Sequence, residues 1–312
     1  MDTELSLDEI FKKNSQSFLE IEKTRRYALV LFIIFTMGSV VGLAALIFII
    51  LIQLGVPIYN FFPINYIPDP TLTPLLLIGS LLAIGTNDVF TNKAHKKIVP
   101  LLVSTLGDYN YFRSIDDTRK IDGEMVGYIL DRAGSIPTSD KENSILNVML
   151  NKKGKGGLII CSPQLSRVVD IMSPRVVFAS TTLHEKSLPD MIVTSAGYNL
   201  EEYKDQAAVG HIKRPYKLFF AQKNMREVAV DGYVDRIYDY VFEKFRSYEF
   251  SISFHDRRCS LVIKVCKAPE FVSLFRSCTQ KDRYADALFF YQRLIKCMEF
   301  IRSRDSDLLP VN

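Results

Sequence analysis

The stretch ALVLFIIFTMGSVVGLAALIFIILIQL, residues 28–54, decides how the rest of the chain is read. It holds no charged residue, and only Thr36, Ser39 and Gln53 interrupt it as polar side chains. At ~1.5 Å rise per residue, a helix of this length exceeds the ~30 Å hydrocarbon core of a bilayer, so the run predicts a membrane-spanning helix. A cleaved export signal is the competing reading. It is disfavoured because the apolar part of a signal is about 7–15 residues and follows a short basic start. Here residues 1–27 are charged and patterned.

A second apolar stretch covers residues 73–90, with Thr73 at the N-cap position and Pro74 opening the helix. Its uncharged part ends at Asn87, leaving about 20 Å of apolar helix against a ~30 Å core. A span here requires local thinning, or Asn87 and Asp88 at headgroup level. A re-entrant or interfacial segment is the alternative. Lys12, Lys13, Lys23, Arg25 and Arg26 precede the first run and Lys93, Lys96 and Lys97 follow the second, whereas residues 55–72 carry no Lys or Arg. Positive flanks stay on the cytoplasmic side, so both termini are expected in the cytoplasm and the Pro- and aromatic-rich connector outside. The expected layout is an amphipathic cytoplasmic helix (1–27), a first span (28–54), an external loop (55–72), a second span (73–90), a helical stalk (91–106) and a cytoplasmic domain (107–312).

Gly38, Gly42 and Ala45 recur along one side of the first span, and Gly79 and Ala83 repeat the spacing in the second. Small residues at this spacing let helix backbones approach closely in lipid. They predict either packing of the spans on each other or self-association.

The 312-residue chain carries a formal net charge of +4, with much of the basic excess beside the apolar runs. That placement points to anionic lipid. No dense Lys/Arg run with interleaved aromatics occurs, which argues against nucleic-acid binding. Five cysteines, Cys161, Cys259, Cys266, Cys278 and Cys297, lie beyond the second run with no Cys-x-x-Cys pair. They suit small buried side chains in a reduced compartment, with a free reactive thiol as the second reading.

Leu7, Ile10, Phe11, Phe18 and Ile21 recur at near-helical spacing, with Glu20 and Glu22 on other faces. Residues 92–106 read as a helix bent near Pro100, which disfavours helix at Val99. Residues 116–131 have a helical pattern and 133–143 a turn composition. Short β-type runs follow at 158–162, 167–172, 175–180, 191–194 and 217–221. Val230, Val234, Ile237, Val241 and Phe245 mark an amphipathic helix over 227–248. Phe250, Ile252 and Phe254 then alternate with Ser251, Ser253 and His255, as do Leu261, Ile263 and Val265 with Ser260, Val262 and Lys264, predicting a β-hairpin with one buried face. A final helix over 282–304 carries Tyr284, Ala287, Leu288, Tyr291, Ile295, Met298 and Ile301 on one stripe. The expected fold is α+β, with a largely antiparallel sheet and packed helices after the two spans.

Lys153, Gly154, Lys155, Gly156 and Gly157 form the one glycine-rich loop. Such loops can cradle phosphate through backbone N–H groups, although this one lacks a P-loop or dinucleotide pattern and leads into a strand. The four histidines, His95, His184, His211 and His255, are scattered. Asp116-Asp117 and Glu201-Glu202 read as cap or solvated residues, since a catalytic dyad needs burial to separate its pKa values. No Gly-x-Ser-x-Gly elbow occurs. No catalytic residue, metal ligand or cofactor is nominated.

Lys96-Lys-Ile-Val-Pro-Leu-Leu102, Gly156-Gly-Leu-Ile-Ile160 and Phe250-Ser-Ile-Ser-Phe-His-Asp256, leading through Val262-Ile-Lys264 to Phe271 and Phe275, carry a resemblance. In these segments and in its order of elements, the chain resembles a family of uncharacterised bacterial inner-membrane proteins sharing a domain of unknown function. The resemblance implies two N-terminal spans and a cytoplasmic α+β domain, and supplies no catalytic residue. The expected function is a membrane-tethered domain that binds a protein partner or scaffolds an assembly. A membrane effector gated by a small anionic ligand at Lys153 to Gly157 is the alternative, and an enzyme with a dispersed site the third reading.

Overall fold

The computed structural model describes residues 6–55, 70–114, 145–151, 158–163, 175–183, 191–195, 216–220, 231–255, 258–265 and 271–303. The chain divides into two compact units. A helical unit comprises Ser6–Leu101 and Phe271–Arg283, and a sheet unit comprises Leu102–Glu270 and Tyr284–Asn312 together with the first five residues.

The helical unit starts with α1, Leu7–Lys13, which opens on a capping box. The Ser6 amide donates to the Glu9 carboxylate at 2.8 Å and the Glu9 amide to the Ser6 hydroxyl at 3.3 Å, satisfying two N–H groups that a helix start leaves unpaired. Asn14 ends α1, its side-chain amide donating to the Ile10 carbonyl at 3.0 Å. Phe11 and Phe18 stack across this break with centroids 4.1 Å apart.

Helix α2 then runs unbroken over Ser15–Gln53, 39 residues and about 58 Å long. The expected divide between residues 27 and 28 is therefore a change of composition inside one helix, and the backbone break lies earlier, at Asn14. Helix α3, Pro74–Lys97, begins with Thr73 and Pro74 where the sequence places them, although the Thr73 side chain makes no capping bond. It passes through residue 90 without interruption. The bend near Pro100 falls at Ile98, between α3 and the short helix α4, Val99–Val103. Val99 is helical, because Pro100 sits in the first turn, where its missing N–H leaves no helical bond unmade.

Helices α2 and α3 form an antiparallel hairpin. Gly42 lies beside Leu76, the Ser80 hydroxyl is 3.2 Å from that of Ser39, and Lys97 reaches Glu20 at 2.7 Å. Away from this seam the large apolar side chains are bare. Ile33, Met37, Val40, Leu77, Leu81 and Val89 are all more than half exposed. A helix buried inside a soluble core covers such residues, whereas these two helices are long and apolar enough to cross a membrane.

Among the described residues the sheet unit holds eight strands: β1 (Tyr109–Ser114), β2 (Ile145–Asn151), β3 (Ile159–Pro163), β4 (Arg175–Thr182), β5 (Met191–Ser195), β6 (Tyr216–Phe220), β7 (Glu249–His255) and β8 (Arg258–Val265). They form one sheet in the order β1-β2-β3-β4-β8-β7-β5-β6, and every neighbouring pair is antiparallel. The fold is α+β. Helices α5, Asp231–Lys244, and α6, Asp282–Ser303, complete the described elements.

The β7–β8 hairpin has the expected register, with Phe250 opposite Ile263 and His255 opposite Arg258. It corrects the expectation of one buried face. Phe250, Ile252 and Phe254 are buried on one side, and Ser251, Ser253 and Ser260 are buried on the other. Ser180, Ser260 and Ser253 stand opposite one another on three adjacent strands, and the Ser180 and Ser260 hydroxyls hydrogen-bond at 3.1 Å. On the aromatic side Tyr238 of α5 lies 5.5 Å from Phe250, and Phe245, just beyond α5, meets Phe290 of α6 at 5.5 Å. Val234, Ile237, Val241 and Phe245 form the buried stripe that their spacing predicts.

Strands β1 and β2 are additions to the sequence reading. Between Leu146 and Met149 the register of β2 shifts, and Asn147 there adopts a positive φ of 54°. Asparagine tolerates that conformation better than most residues, and its side-chain oxygen accepts a 2.8 Å hydrogen bond from the Tyr111 hydroxyl. The helix expected over 116–131, the turn over 133–143 and the strand over 167–172 lie outside the described residues.

Candidate functional site

Phe18, Ile21, Glu22, Arg25 and Ala28 are successive buried positions of α2, at spacings of three, one, three and three. An ion pair thus sits inside an apolar stripe, just ahead of the uncharged run. Glu22 is 4% exposed and Arg25 9%, although the sequence reading puts Glu22 on an outer face. A buried ion pair costs several kcal/mol of desolvation per ion, recovered only when its remaining polar atoms are also bonded.

Here they are. Arg25 donates Nε and Nη2 to the two Glu22 oxygens at 2.9 and 2.7 Å, a bidentate fork. Arg26 adds a contact to Glu22 Oε1 at 3.2 Å. The remaining partners come from the segment Phe271–Arg283, more than two hundred residues further along the chain. The Cys278 amide donates to Glu22 Oε2 at 2.8 Å, and Arg25 Nη1 donates to the Leu274 carbonyl at 3.0 Å. Hydrogen bonding from Arg25, with further bonds from the Cys278 amide and Arg26, outweighs the cost of burial and holds the Glu22 carboxyl at about 2.

The same segment is pinned along its length. Lys281 pairs with Asp8 of α1 and lies 5.9 Å from the Phe11 ring centroid. Phe275 meets Phe32 of α2 edge-on at 5.3 Å. Arg283 closes the loop on itself by donating to the carbonyls of Arg276 and Ser277 at 2.7 and 3.1 Å. Leu274 and Cys278 are buried. With every atom of the Glu22–Arg25 pair directed at the protein's own groups, the arrangement is a clasp that fixes a loop, and it offers no free acid or base.

Of the small residues singled out in the apolar runs, Gly42, Ala45, Gly79 and Ala83 are buried. A Cβ on Gly42 would stand 2.3 Å from the Leu76 nitrogen, and one on Gly79 would stand 2.6 Å from the Phe35 carbonyl oxygen. Gly38 is placed differently: nothing lies within 4 Å of where its Cβ would be, so it takes no part in the α2–α3 seam. The glycine-rich loop of Lys153, Gly154, Lys155, Gly156 and Gly157 lies outside the described residues, as do His184, His211, Cys266, Asp116-Asp117 and Glu201-Glu202. His95 is half-buried in α3 and His255 ends β7. Cys161, Cys259, Cys278 and Cys297 are buried and outside any disulfide, and burial raises the thiol pKa of Cys161 and pushes that of Cys297 up to about 12. Among the described residues no group of three or more His, Cys, Asp or Glu is placed to hold a metal ion.

Comparisons with protein-family models, curated proteins and solved structures return no match to this chain.

Proposed function

We propose that the protein is an integral membrane protein of two spans, with both termini in the cytoplasm of a bacterium, and that its α+β domain is held at the inner membrane to bind a protein partner or scaffold an assembly. The resemblance to uncharacterised inner-membrane proteins belongs to this proposal. The observation that carries it is the clasp. The polypeptide of the sheet unit leaves it after Glu270, is fixed to the helical unit by Glu22 and Arg25, and returns at Tyr284. A domain on a simple tether needs a single crossing, whereas this chain passes between the two units four times, at 5/6, 101/102, 270/271 and 283/284, which suits a domain tied to its membrane anchor by more than one connection.

The test uses the full chain in cells. With four thiols buried and Cys266 replaced by serine, single reporter cysteines at Asn60, in the connector, and at Asn312 can be read with an impermeant maleimide. The reading requires Asn60→Cys to react in intact cells and Asn312→Cys to react only after permeabilisation. Reaction at Asn312→Cys in intact cells overturns it. Turnover of a common metabolite by the purified full-length protein would remove the scaffold reading and leave the topology standing.

A further inference from the structure

We propose that the loop Phe271–Arg283 is a membrane-contact element, with Phe275 inserted at the headgroup–acyl boundary of the leaflet through which α2 enters. The proposal rests on the spanning reading of α2 and goes beyond it. Three contacts give the loop a direction along the helical unit: Lys281 meets Asp8, Cys278 meets Glu22, and Phe275 meets Phe32. From Phe275 to Lys281 the chain therefore runs down from the uncharged run of α2 towards the charged start of α1. Its aromatic tip reaches Phe32, four residues and ~6 Å inside that run. Interfacial side chains of amphipathic segments sit at a comparable depth, ~5–10 Å below the headgroups.

The loop is built as such a contact requires. Its inner side chains, Phe271, Val272 and Leu274, are buried, whereas Phe275 is turned outward and 65% exposed. A large apolar side chain exposed to water beside a helix that already presents Val30 and Leu31 to its surroundings extends one continuous apolar surface. Arg276 is exposed directly after Phe275, and Arg26 and Lys23 are exposed on α2 ahead of Phe32, on the side read as cytoplasmic, the composition expected at an anionic headgroup layer. The Arg25 bond to the Leu274 carbonyl fixes the residue immediately before Phe275, so the tip is held in place by the protein before it meets any lipid.

The chain has no tryptophan, so a single one reports alone. Full-length Phe275→Trp is reconstituted in phosphatidylcholine–phosphatidylglycerol vesicles with lipid brominated either near the headgroup or near the acyl terminus. The expected result is blue-shifted emission, quenched more by the shallow bromine than by the deep one. Val40→Trp, on the exposed face of the same helix, is the companion, and deep bromine should quench it more strongly. Quenching of Val40→Trp with unquenched, water-like emission from Phe275→Trp overturns the loop proposal alone, and points to a protein partner or a second copy as the cover for Phe275. Absence of quenching in both overturns the spanning reading and the loop proposal together.

Discussion

Gly42 of α2 approaches the backbone of α3 so closely that a Cβ would stand 2.3 Å from the Leu76 nitrogen, whereas the same atom on Gly38, one turn earlier, would meet nothing within 4 Å. Two glycines of one sequence pattern thus have opposite structural demands. Gly42→Ala, and likewise Gly79→Ala, forces the helices apart and should destabilise the hairpin by about 1–3 kcal/mol, the usual range for overpacking. Gly38→Ala should be neutral or stabilise by up to about 1 kcal/mol through helix propensity. Thermal unfolding in detergent separates the two cases, and equal melting temperatures for Gly38→Ala and Gly42→Ala would contradict the described seam.

Removing Arg25 leaves the Glu22 carboxylate buried without its main partner. Arg25→Ala should cost about 3–5 kcal/mol, while Arg26→Ala, whose side chain is largely exposed, should cost no more than about 1 kcal/mol. Hydrogen exchange provides the local readout, because the Cys278 amide donates to Glu22. Its protection should fall sharply in Glu22→Ala and Arg25→Ala and persist in Arg26→Ala.

The clasp also sets an acid limit. The Glu22 carboxyl is lowered from 4.5 to about 2, so its contribution is complete above pH 4.5 and disappears as pH falls through 2. Chemical denaturation followed by circular dichroism should show wild type losing stability from pH 5 to pH 2 more steeply than Glu22→Gln, which carries no titrating group at this position.

The opposite limit lies in the sheet unit. Burial pushes Tyr291 up to about 12, and burial together with the nearby Glu299 carboxylate does the same for Tyr109. A phenol whose folded pKa is raised stabilises the protein fully below about 10 and progressively less as pH climbs to 12. In a spectrophotometric titration, Tyr291→Phe and Tyr109→Phe should leave the early phenolate signal unchanged and remove part of the late one.

Four of the five thiols are sealed in the fold. A maleimide added to the native full-length protein should label Cys161, Cys259, Cys278 and Cys297 slowly or not at all, and all of them rapidly after denaturation. Fast native labelling of Cys278 would show that the loop opens without global unfolding.

The elements legible in the sequence are those whose period survives intact. Helices α5 and α6 carry unbroken apolar stripes, and the β7–β8 hairpin alternates cleanly, so local pattern and final structure agree. Strand β2 escapes the same reading because the shift at Asn147 puts Leu146 and Met149 out of strict alternation. Strand β1, Tyr-Asn-Tyr-Phe-Arg-Ser, mixes polar and aromatic residues without a period. Within the candidate site, the buried pair of Glu22 and Arg25 escapes the sequence reading, which puts Glu22 on an outer face because a charged residue beside an apolar stripe ordinarily faces water. Their partner is not visible, because the amide of Cys278 and the carbonyl of Leu274 are backbone groups with no side-chain signature. The hidden second face of the hairpin has a similar cause. Small serines read as solvent-facing, yet they cost little to bury when they pair across strands, as Ser180 and Ser260 do.

The path of Phe271–Arg283 bears on how the molecule can be divided. Cutting the chain ahead of residue 107 to obtain a water-soluble fragment would keep every strand and both large helices of the sheet unit, yet remove Asp8, Glu22, Arg25 and Phe32 together. The excised piece would carry the thirteen residues Phe271–Arg283 without the Glu22 and Arg25 hydrogen bonds to Cys278 and Leu274 and without the Asp8 and Phe32 contacts to Lys281 and Phe275. Poor behaviour of a trimmed protein would therefore reflect where the scissors fell, and the boundary that respects this architecture retains the N-terminal helices.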